Sequence, residues 1–506
     1  MKSAFMLAAA SSASGKTTIT CALLSALKNK GHKVKSFKCG PDYIDPMFHK
    51  KVLGIPSENL DLFFSDEAEV KRLFWQKNAY DVSLVEGVMG LYDGANPRSN
   101  DGSSYDLACK LDIPVVLVVN AHGMGRSIVA LIKGFLAMDT NKIICGLILN
   151  QVSPTYFETI KKVIEEETGL EVFGYFPKLK EGGIESRYLG LKLPNEIEKL
   201  HENIEHAAET ISKSVDIDRL LACTTADAEI RSLEDANQTV PEIPSFNGQG
   251  TGDSNGLTPK SEAAGTCCET VRIAVAKDEA FCFIYDENIR LLESLGAEIV
   301  EFSPIHDEKL PDNIGGLILY GGYPEIYARE LSENKSMLKS IKNAIDSKIP
   351  SLAECGGFMY LHDSIYAPES ATAGGDSERN AGAEAGGPKA TDAPDISYPM
   401  VGAVKGSCSK KDRLVRFGYV TVTPKEKTFF EGNDMGIKAH EFHYYDSTNN
   451  GSDANCLKAS NGVTFEAGHI SENNFWGFAH LYYPSNKDFA ASFVRKCREW
   501  NLNRPI

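Results

Sequence analysis

Long apolar runs are missing from this 506-residue chain. Its longest aliphatic stretches, IPVVLVV (113–119) and IICGLIL (143–149), are strand-sized and fall well short of the roughly 20 apolar residues that span a bilayer. No transmembrane helix and no membrane partner are expected. Positive charge is in deficit: 53 Lys and Arg face 69 Asp and Glu, a formal net charge of −16. That balance argues against nucleic acid as a partner, and any anionic ligand must be held by local cations rather than by a global field. The 12 cysteines are scattered and show neither metal-type spacing nor a disulfide framework, which points to a reducing, cytoplasmic setting. Internal repeats are absent too. The N-terminal AFMLAAA resembles the apolar core of a secretory leader, but at about seven residues it sits at the lower limit for one, and it runs straight into Gly15-Lys16-Thr17.

What the chain does contain is alternation. Apolar residues make up 42% and charged residues 24%, a soluble globular balance, and the length implies two or three domains. Over residues 1–222, short apolar runs (AFMLAAA, VSLVEGV, PVVLVVN, ICGLILN) alternate with helix-length amphipathic segments. This predicts an α/β fold with a doubly wound, mostly parallel sheet. Ligands of such sheets sit beyond the carboxyl ends of the strands, where Ser11, Asp42, Glu86 and Asn150 fall. Residues 223–270 are rich in Gly, Ser, Thr and Pro and read as a linker. A second α/β unit is expected over 271–506, carrying a low-complexity surface insertion at 367–396.

SSASGKTT (11–18) ends like a phosphate-binding loop but has Ala10 and Ala13 where glycines are usual. Between a strand and a helix, the loop from Ser12 through Ser14, Gly15, Lys16, Thr17 and Thr18 would cradle phosphates with backbone N–H groups and the helix dipole. Lys16 would neutralise the phosphates, and the Thr17 hydroxyl would reach a magnesium ion. An ordinary strand-to-helix turn is the competing reading. KCGPDYIDP (38–46) presents Asp42 and Asp45 on a turn that could be purely structural, and VEGVMGLYDG (85–94) presents Glu86 and Asp93 on a Gly-rich loop. Acidic loops after several strands of one sheet converge on one crevice, which favours a site over a set of unrelated turns.

The second half carries a different chemistry. SLAECGGFMYL places Cys355 on a sharp strand-to-helix turn, the geometry of a nucleophile elbow. Most cysteines are inert core residues, so Cys355 needs a basic partner, available downstream at His440, His443, His469 or His480. YGGYPE (320–325) adds Gly321 and Gly322, able with Gly356 to present backbone N–H groups to an oxyanion.

In this order, SSASGKTT, KCGPDYIDPMFH, NLDLFF, EGVMGLYDG, LILNQV, RYLGL, VAKDEAFCFIY, GGYPE, AECGGFMYL, HEFHY and AHLYYPSN resemble the cobyrinate a,c-diamide synthases. The resemblance spans nearly the whole chain outside the tether and the insertion. It implies a P-loop, dethiobiotin-synthetase-like domain followed by a class-I-like glutamine amidotransferase domain. The implied reaction is ATP-dependent amidation of two tetrapyrrole carboxylates with ammonia from L-glutamine. Cys355 would then be the nucleophile and His480 its activator, although Tyr482 stands where ordinary amidotransferases have a Glu, leaving Glu441 and His443 as candidates to orient His480. Thr17, Asp42 and Glu86 would bind magnesium, Asp45 and Asp93 would lie nearer the substrate carboxylate, and Tyr43 and Arg187 would bind substrate. Asn150 resembles an adenine-reading position. Cobyrinate, hydrogenobyrinate and nickel-sirohydrochlorin all fit these motifs, and a homodimer would follow only by family analogy. Two rivals are a non-catalytic nucleotide switch and an ATP-independent thiol hydrolase.

Overall fold

The structure is a computed structural model that describes residues 2–75, 80–94, 98–178, 194–225, 270–369, 395–426 and 436–503, the side chains of 194–199 excepted. Most of the expected linker, the insertion between 370 and 394, and Arg187 lie outside the described residues.

The first unit is a seven-stranded parallel sheet of order β3-β2-β4-β1-β5-β6-β7. Its strands are β1 (Ser3–Ala9), β2 (Val34–Cys39), β3 (Ser57–Leu60), β4 (Val82–Glu86), β5 (Val115–Asn120), β6 (Ile144–Asn150) and β7 (Glu171–Phe176). The leader-like segment is therefore the central strand β1, buried along its whole length. Because successive side chains point to opposite faces, Ala4, Met6 and Ala8 enter one core layer. Phe5, Leu7 and Ala9 enter the other, beneath helix α1 (Lys16–Asn29) and the helix Pro194–Ser214. Thr224 is buried with its hydroxyl against Ser3 Oγ, and Thr225 bridges Ser3. These contacts tie Thr224 and Thr225 to the start of β1.

The second unit starts at β8 (Val271–Ala276) and continues through β9 (Ala297–Phe302), β10 (Gly316–Leu319) and β11 (Ser351–Glu354). β12 (His362–Pro368) and β13 (Asp395–Pro399) pair antiparallel, so the insertion leaves from the end of a hairpin whose last pair is Pro368 with Asp395. Next come β14 (Val404–Lys410), β15 (Arg416–Pro424), β16 (Ile437–His443), β17 (Tyr445–Ser447), β18 (Ala454–Lys458), β19 (Thr464–Ala467), β20 (His469–Ile470), β21 (Asn474–Gly477) and β22 (His480–Leu481). They form a six-stranded sheet β20-β21-β11-β10-β8-β9, parallel except at β20, a four-stranded sheet β13-β12-β14-β17 and an antiparallel sheet β19-β18-β15-β16-β22. The last two sheets are additions to the expected doubly wound core. They come from short polar-alternating strands that pair across long loops.

The units meet through aromatic side chains. Phe64 is 2% exposed and stacks on Tyr482, centroids 4.8 Å apart, while Phe63 stacks on Tyr419 at 4.5 Å. The Tyr419 hydroxyl donates to Asp61 Oδ2 at 2.7 Å, and Tyr285 donates to the Pro41 carbonyl at 3.1 Å. Arg290 with Glu58 (3.0 Å) and Lys50 with Asp286 add ion pairs at the rim. No described helix is long and apolar enough to cross a membrane.

Truncating a buried aromatic removes its transfer and packing energy together. Phe64→Ala is expected to cost about 3 kcal/mol and, by opening the seam, to split the melting of the two units. Differential scanning calorimetry with a single unshifted transition would contradict this docking.

Candidate active site

The phosphate-loop segment bends sharply between β1 and α1. Ala13 has φ 58° and Gly15 φ 87°, both left-handed. Gly15 is the N-cap of α1, with no side-chain cap hydrogen bond among the described residues, and a Cβ there would come within 2.2 Å of Asn150 Nδ2. Asn150 is 5% exposed and its Nδ2 donates to the Ser14 carbonyl at 2.8 Å, so its amide braces the loop. Ser12 is exposed, Ser14 buried, and Thr17 and Thr18 half-buried at the helix start. Lys16 is buried, with its ammonium on the carbonyls of Met89 and Ser11, which draws the Gly-rich loop after β4 against the phosphate loop. Burial, then the nearby Lys38 cation, lower its pKa to about 8.

Lys38, at the end of β2, gathers the acids. Its Nζ lies 2.5 Å from Asp45 Oδ2, 3.0 Å from Glu86 Oε1 and 4.0 Å from Asp42 Oδ2. All six residues of β2 are buried, and a buried ammonium persists only where carboxylates surround it. Asp42 Oδ1 accepts from the backbone of Ile44 at 2.8 Å, turning the chain into α2 (Ile44–Lys51), whose first turn presents Asp45. Glu86 Oε1 also accepts from the Thr17 hydroxyl at 2.7 Å. Burial, then the Asp45 charge, push the Glu86 carboxyl up to about 7. Its Oε2 is buried, has no hydrogen-bond partner among the described residues, and faces His49 Nε2 at 3.6 Å. Asp93 is exposed, and its carboxylate accepts from Gly90 N at 2.8 Å within its own loop.

A hydroxyl beside hard carboxylate oxygens, one of them unpartnered, suits magnesium. Among the described residues no three His, Cys, Asp or Glu side chains form a cage for a metal.

In the second unit, Cys355 sits between β11 and the helix Gly356–Tyr360 at φ 46°, ψ −106°. This strained backbone is locked by its N–H donating to the Gly477 carbonyl at 2.8 Å. Close approach explains the glycines around it. A Cβ on Gly321 would fall 2.3 Å from His480 Cε1 and 3.3 Å from Cys355 Cβ, and one on Gly356 would fall 3.0 Å from Gly322 N. Burial pushes the Cys355 thiol far above its ordinary range and lowers the His480 imidazole to about 3. In the unliganded protein the pair is therefore a neutral thiol beside a neutral imidazole.

Neither candidate for orienting His480 is engaged with it. Glu441 pairs with Arg416 at 3.4 Å, and His443 Nδ1 bonds the Tyr445 carbonyl at 2.6 Å. His480 Nδ1 has no hydrogen-bond partner among the described residues. Its strand is instead positioned by Glu354, which accepts from Leu481 N at 3.1 Å and from the Tyr483 hydroxyl at 3.0 Å. Tyr43, expected on the substrate, has its ring in the seam between units, 5.2 Å from both Phe283 and His480.

Sequence reasoning missed Lys38, His49 and Glu354. Glu354 carries a faint signal, as a charged residue at the end of an apolar strand that needs partners when buried, whereas Lys38 in VKSFKC reads as a solvated residue. His49 carries none, since a histidine in an amphipathic helix reads as a surface residue.

Two family models match the chain. Residues 5–183 match the CobQ/CobB/MinD/ParA nucleotide binding domain, and residues 272–487 match the CobB/CobQ-like glutamine amidotransferase domain. Among curated relatives, the cobyrinate a,c-diamide synthase of Caldanaerobacter subterraneus subsp. tengcongensis is 36% identical over 500 residues, covering 97% of this chain and 98% of that protein. Those of Clostridium acetobutylicum (35% identical; 97% and 99% covered) and Priestia megaterium (33%; 96% and 94%) match alike.

Two variants test this geometry. Gly15→Ala combines an unfavourable φ with a clash on Asn150, so it should cost about 2 kcal/mol or more of stability and raise the KM for ATP. Ala13→Gly trades relieved strain against chain entropy and should change stability by less than about 1 kcal/mol; equal effects in thermal melts would refute the assignment. Glu354 tests the electrostatics, because burial raises its carboxyl from 4.5 to about 8. The folded state then keeps a proton that the unfolded chain releases. Its contribution is full below the ordinary value and is lost as pH rises from about 4.5 to about 8. Glu354→Gln lacks that loss, so its stability relative to wild type should climb across this window in urea titrations; parallel curves would rule the buried acid out.

Proposed function

The chain belongs to the cobyrinate a,c-diamide synthase family, and from that premise we propose that it amidates the a- and c-side-chain carboxylates of cobyrinate with ATP and L-glutamine. The observation that supports the reading is that Tyr43, next to Asp42 in the acidic loop, packs 5.2 Å from the ring of His480, and a Cβ on Gly321 would meet both His480 and Cys355.

A carboxylate is a poor electrophile because its oxygen is a poor leaving group. In this reading the loop N–H groups of Ser12 to Thr18 hold the ATP phosphates. Lys16 and Lys38 offset the charge that spreads over the transferred phosphoryl group as an acyl phosphate forms. Thr17, Glu86 and Asp42 are the residues proposed to hold magnesium, which when bound screens the phosphate charge. Asp45 fixes Lys38, and Asp93 stands on the exposed side, where a substrate carboxylate enters. Arg187 keeps its proposed role toward a substrate or phosphate anion.

Ammonia for displacing the acyl phosphate comes from the second unit. His480 takes the Cys355 thiol proton, the thiolate attacks the glutamine carboxamide, and the N–H groups of Gly322 and Gly356 face the oxyanion. The C–N bond breaks, ammonia leaves with the proton from His480, and water later releases glutamate from the thioester. The proposed domains are residues 1–222 and 271–506, with 223–270 as the linker between them.

Cys355→Ala should lower glutamine-driven amidation at least about a thousandfold, the scale of losing a catalytic nucleophile, while ammonia-driven amidation survives. Product mass spectrometry with cobyrinate, hydrogenobyrinate and nickel-sirohydrochlorin should show two successive carboxylate-to-amide changes with cobyrinate. A change only with another tetrapyrrole reassigns the substrate, and no change with any overturns the ligase reading. ATP-independent turnover would favour a thiol hydrolase.

A further inference from the structure

One side chain of the seam, Tyr43, reaches from the acidic loop to the His480 ring. Tyr43 follows Asp42 directly and precedes α2, which carries Asp45, so its backbone belongs to the acidic loop that Lys38 holds. Its ring belongs to the other unit's surroundings. It lies 5.2 Å from the His480 ring, stacks on Phe283 at 5.2 Å with an interplanar angle of 14°, and lies 4.2 Å from Tyr285. Tyr285 in turn grips the Pro41 carbonyl at 3.1 Å, pinning the same loop from the glutaminase side. Phe283 also lies 6.0 Å from His480.

The position of His480 makes this contact matter. With no hydrogen-bond partner at Nδ1 among the described residues, the ring is held by β22 pairing with His440 and by the packing of Tyr43 and Phe283. Packing interactions act through shape, so a shift of the Asp42–Asp45 loop moves Tyr43 and with it the wall of the His480 pocket.

We propose that Tyr43 is the positioning residue that couples the two half-reactions: its ring keeps His480 inactive until ligands at the Asp42–Asp45 loop move it. The proposal rests on the two-site amide synthetase reading and adds the element that makes glutamine hydrolysis wait for acyl activation. The dry pocket explains why the silent state is silent, since desolvation keeps His480 and the Cys355 thiol both neutral. Moving the ring would admit glutamine and polar contacts that favour proton transfer.

Glutamate release is measured with and without ATP, magnesium and cobyrinate, together with the amides formed, on wild type, Tyr43→Ala, Tyr43→Phe and Phe283→Ala. Wild type is expected to hydrolyse glutamine faster when all are supplied and to release about one glutamate per amide. Tyr43→Ala should raise hydrolysis without ATP by about fivefold or more, the lower end for coupled sites, and release several glutamates per amide. Tyr43→Phe keeps the ring and should keep the coupling. A Tyr43→Ala enzyme that retains wild-type stoichiometry and ATP dependence, or loses both activities in parallel, overturns the proposal. So does a wild type whose glutaminase ignores ATP. If Tyr43→Ala does not fold by circular dichroism, Phe283→Ala decides by the same stoichiometry. Failure of wild type to form any amide would instead strike the underlying reading.

Discussion

Lys38 is a full charge placed where water does not reach, at the end of a strand buried along its whole length. Such a charge is tolerated only with close countercharges, and removing one partner of a buried pair typically costs 3–5 kcal/mol. Asp45, Glu86 and Asp42 come to it from two loops. Meeting that requirement fixes where the loops after β2 and β4 end. Glu86, once held there, meets the Thr17 hydroxyl, and the loop beyond it meets the Lys16 ammonium. Strand ends, acid cluster and phosphate loop thus form one electrostatic unit, built around a cation with no ligand present.

The glutaminase half is organised by shape. At Cys355 the backbone is strained, at Gly321 and Gly322 there is no room for a side chain, and at His480 a polar nitrogen has no partner among the described residues. Each feature has an energetic cost, offset by apolar packing in the core behind it. Costly local geometry supported by surrounding packing is a common property of catalytic sites. The two halves use different physics, charge in one and packing in the other, and they meet at the aromatic seam of Tyr43, Phe64, Tyr285 and Tyr482.

Legibility in the sequence followed the range of the interaction. SGKTT, GPDYIDP and ECGG are each decided within about ten residues, by turn chemistry and the switch from strand to helix, so their places at the carboxyl ends of strands could be read directly. Thr17, Glu86 and Asp42 lie around one strand-end cluster, because neighbouring parallel strands bring their ends together. Lys38 was passed over because a lysine in VKSFKC looks like the solvated half of an alternating strand, and only cover on both faces of the sheet makes it buried. Asn150 was placed correctly at a strand end, yet its amide turns under Ser14, an orientation that one side-chain torsion decides. Tyr43 was expected on the substrate, and its ring packs on residues from 283 onward.

By itself, then, the order of residues determined the elements, the parallel first sheet, the phosphate loop and the elbow cysteine. These arise from periodicity, glycine placement and strand-to-helix turns, all local in the chain. Only tertiary structure decided which charges are buried, which histidine faces Cys355, that Glu354 rather than Glu441 supports that histidine's strand, and that one tyrosine reaches from the acidic loop to the His480 ring. Desolvation and cross-domain packing depend on what covers a side chain, and the covering residues lie hundreds of positions away.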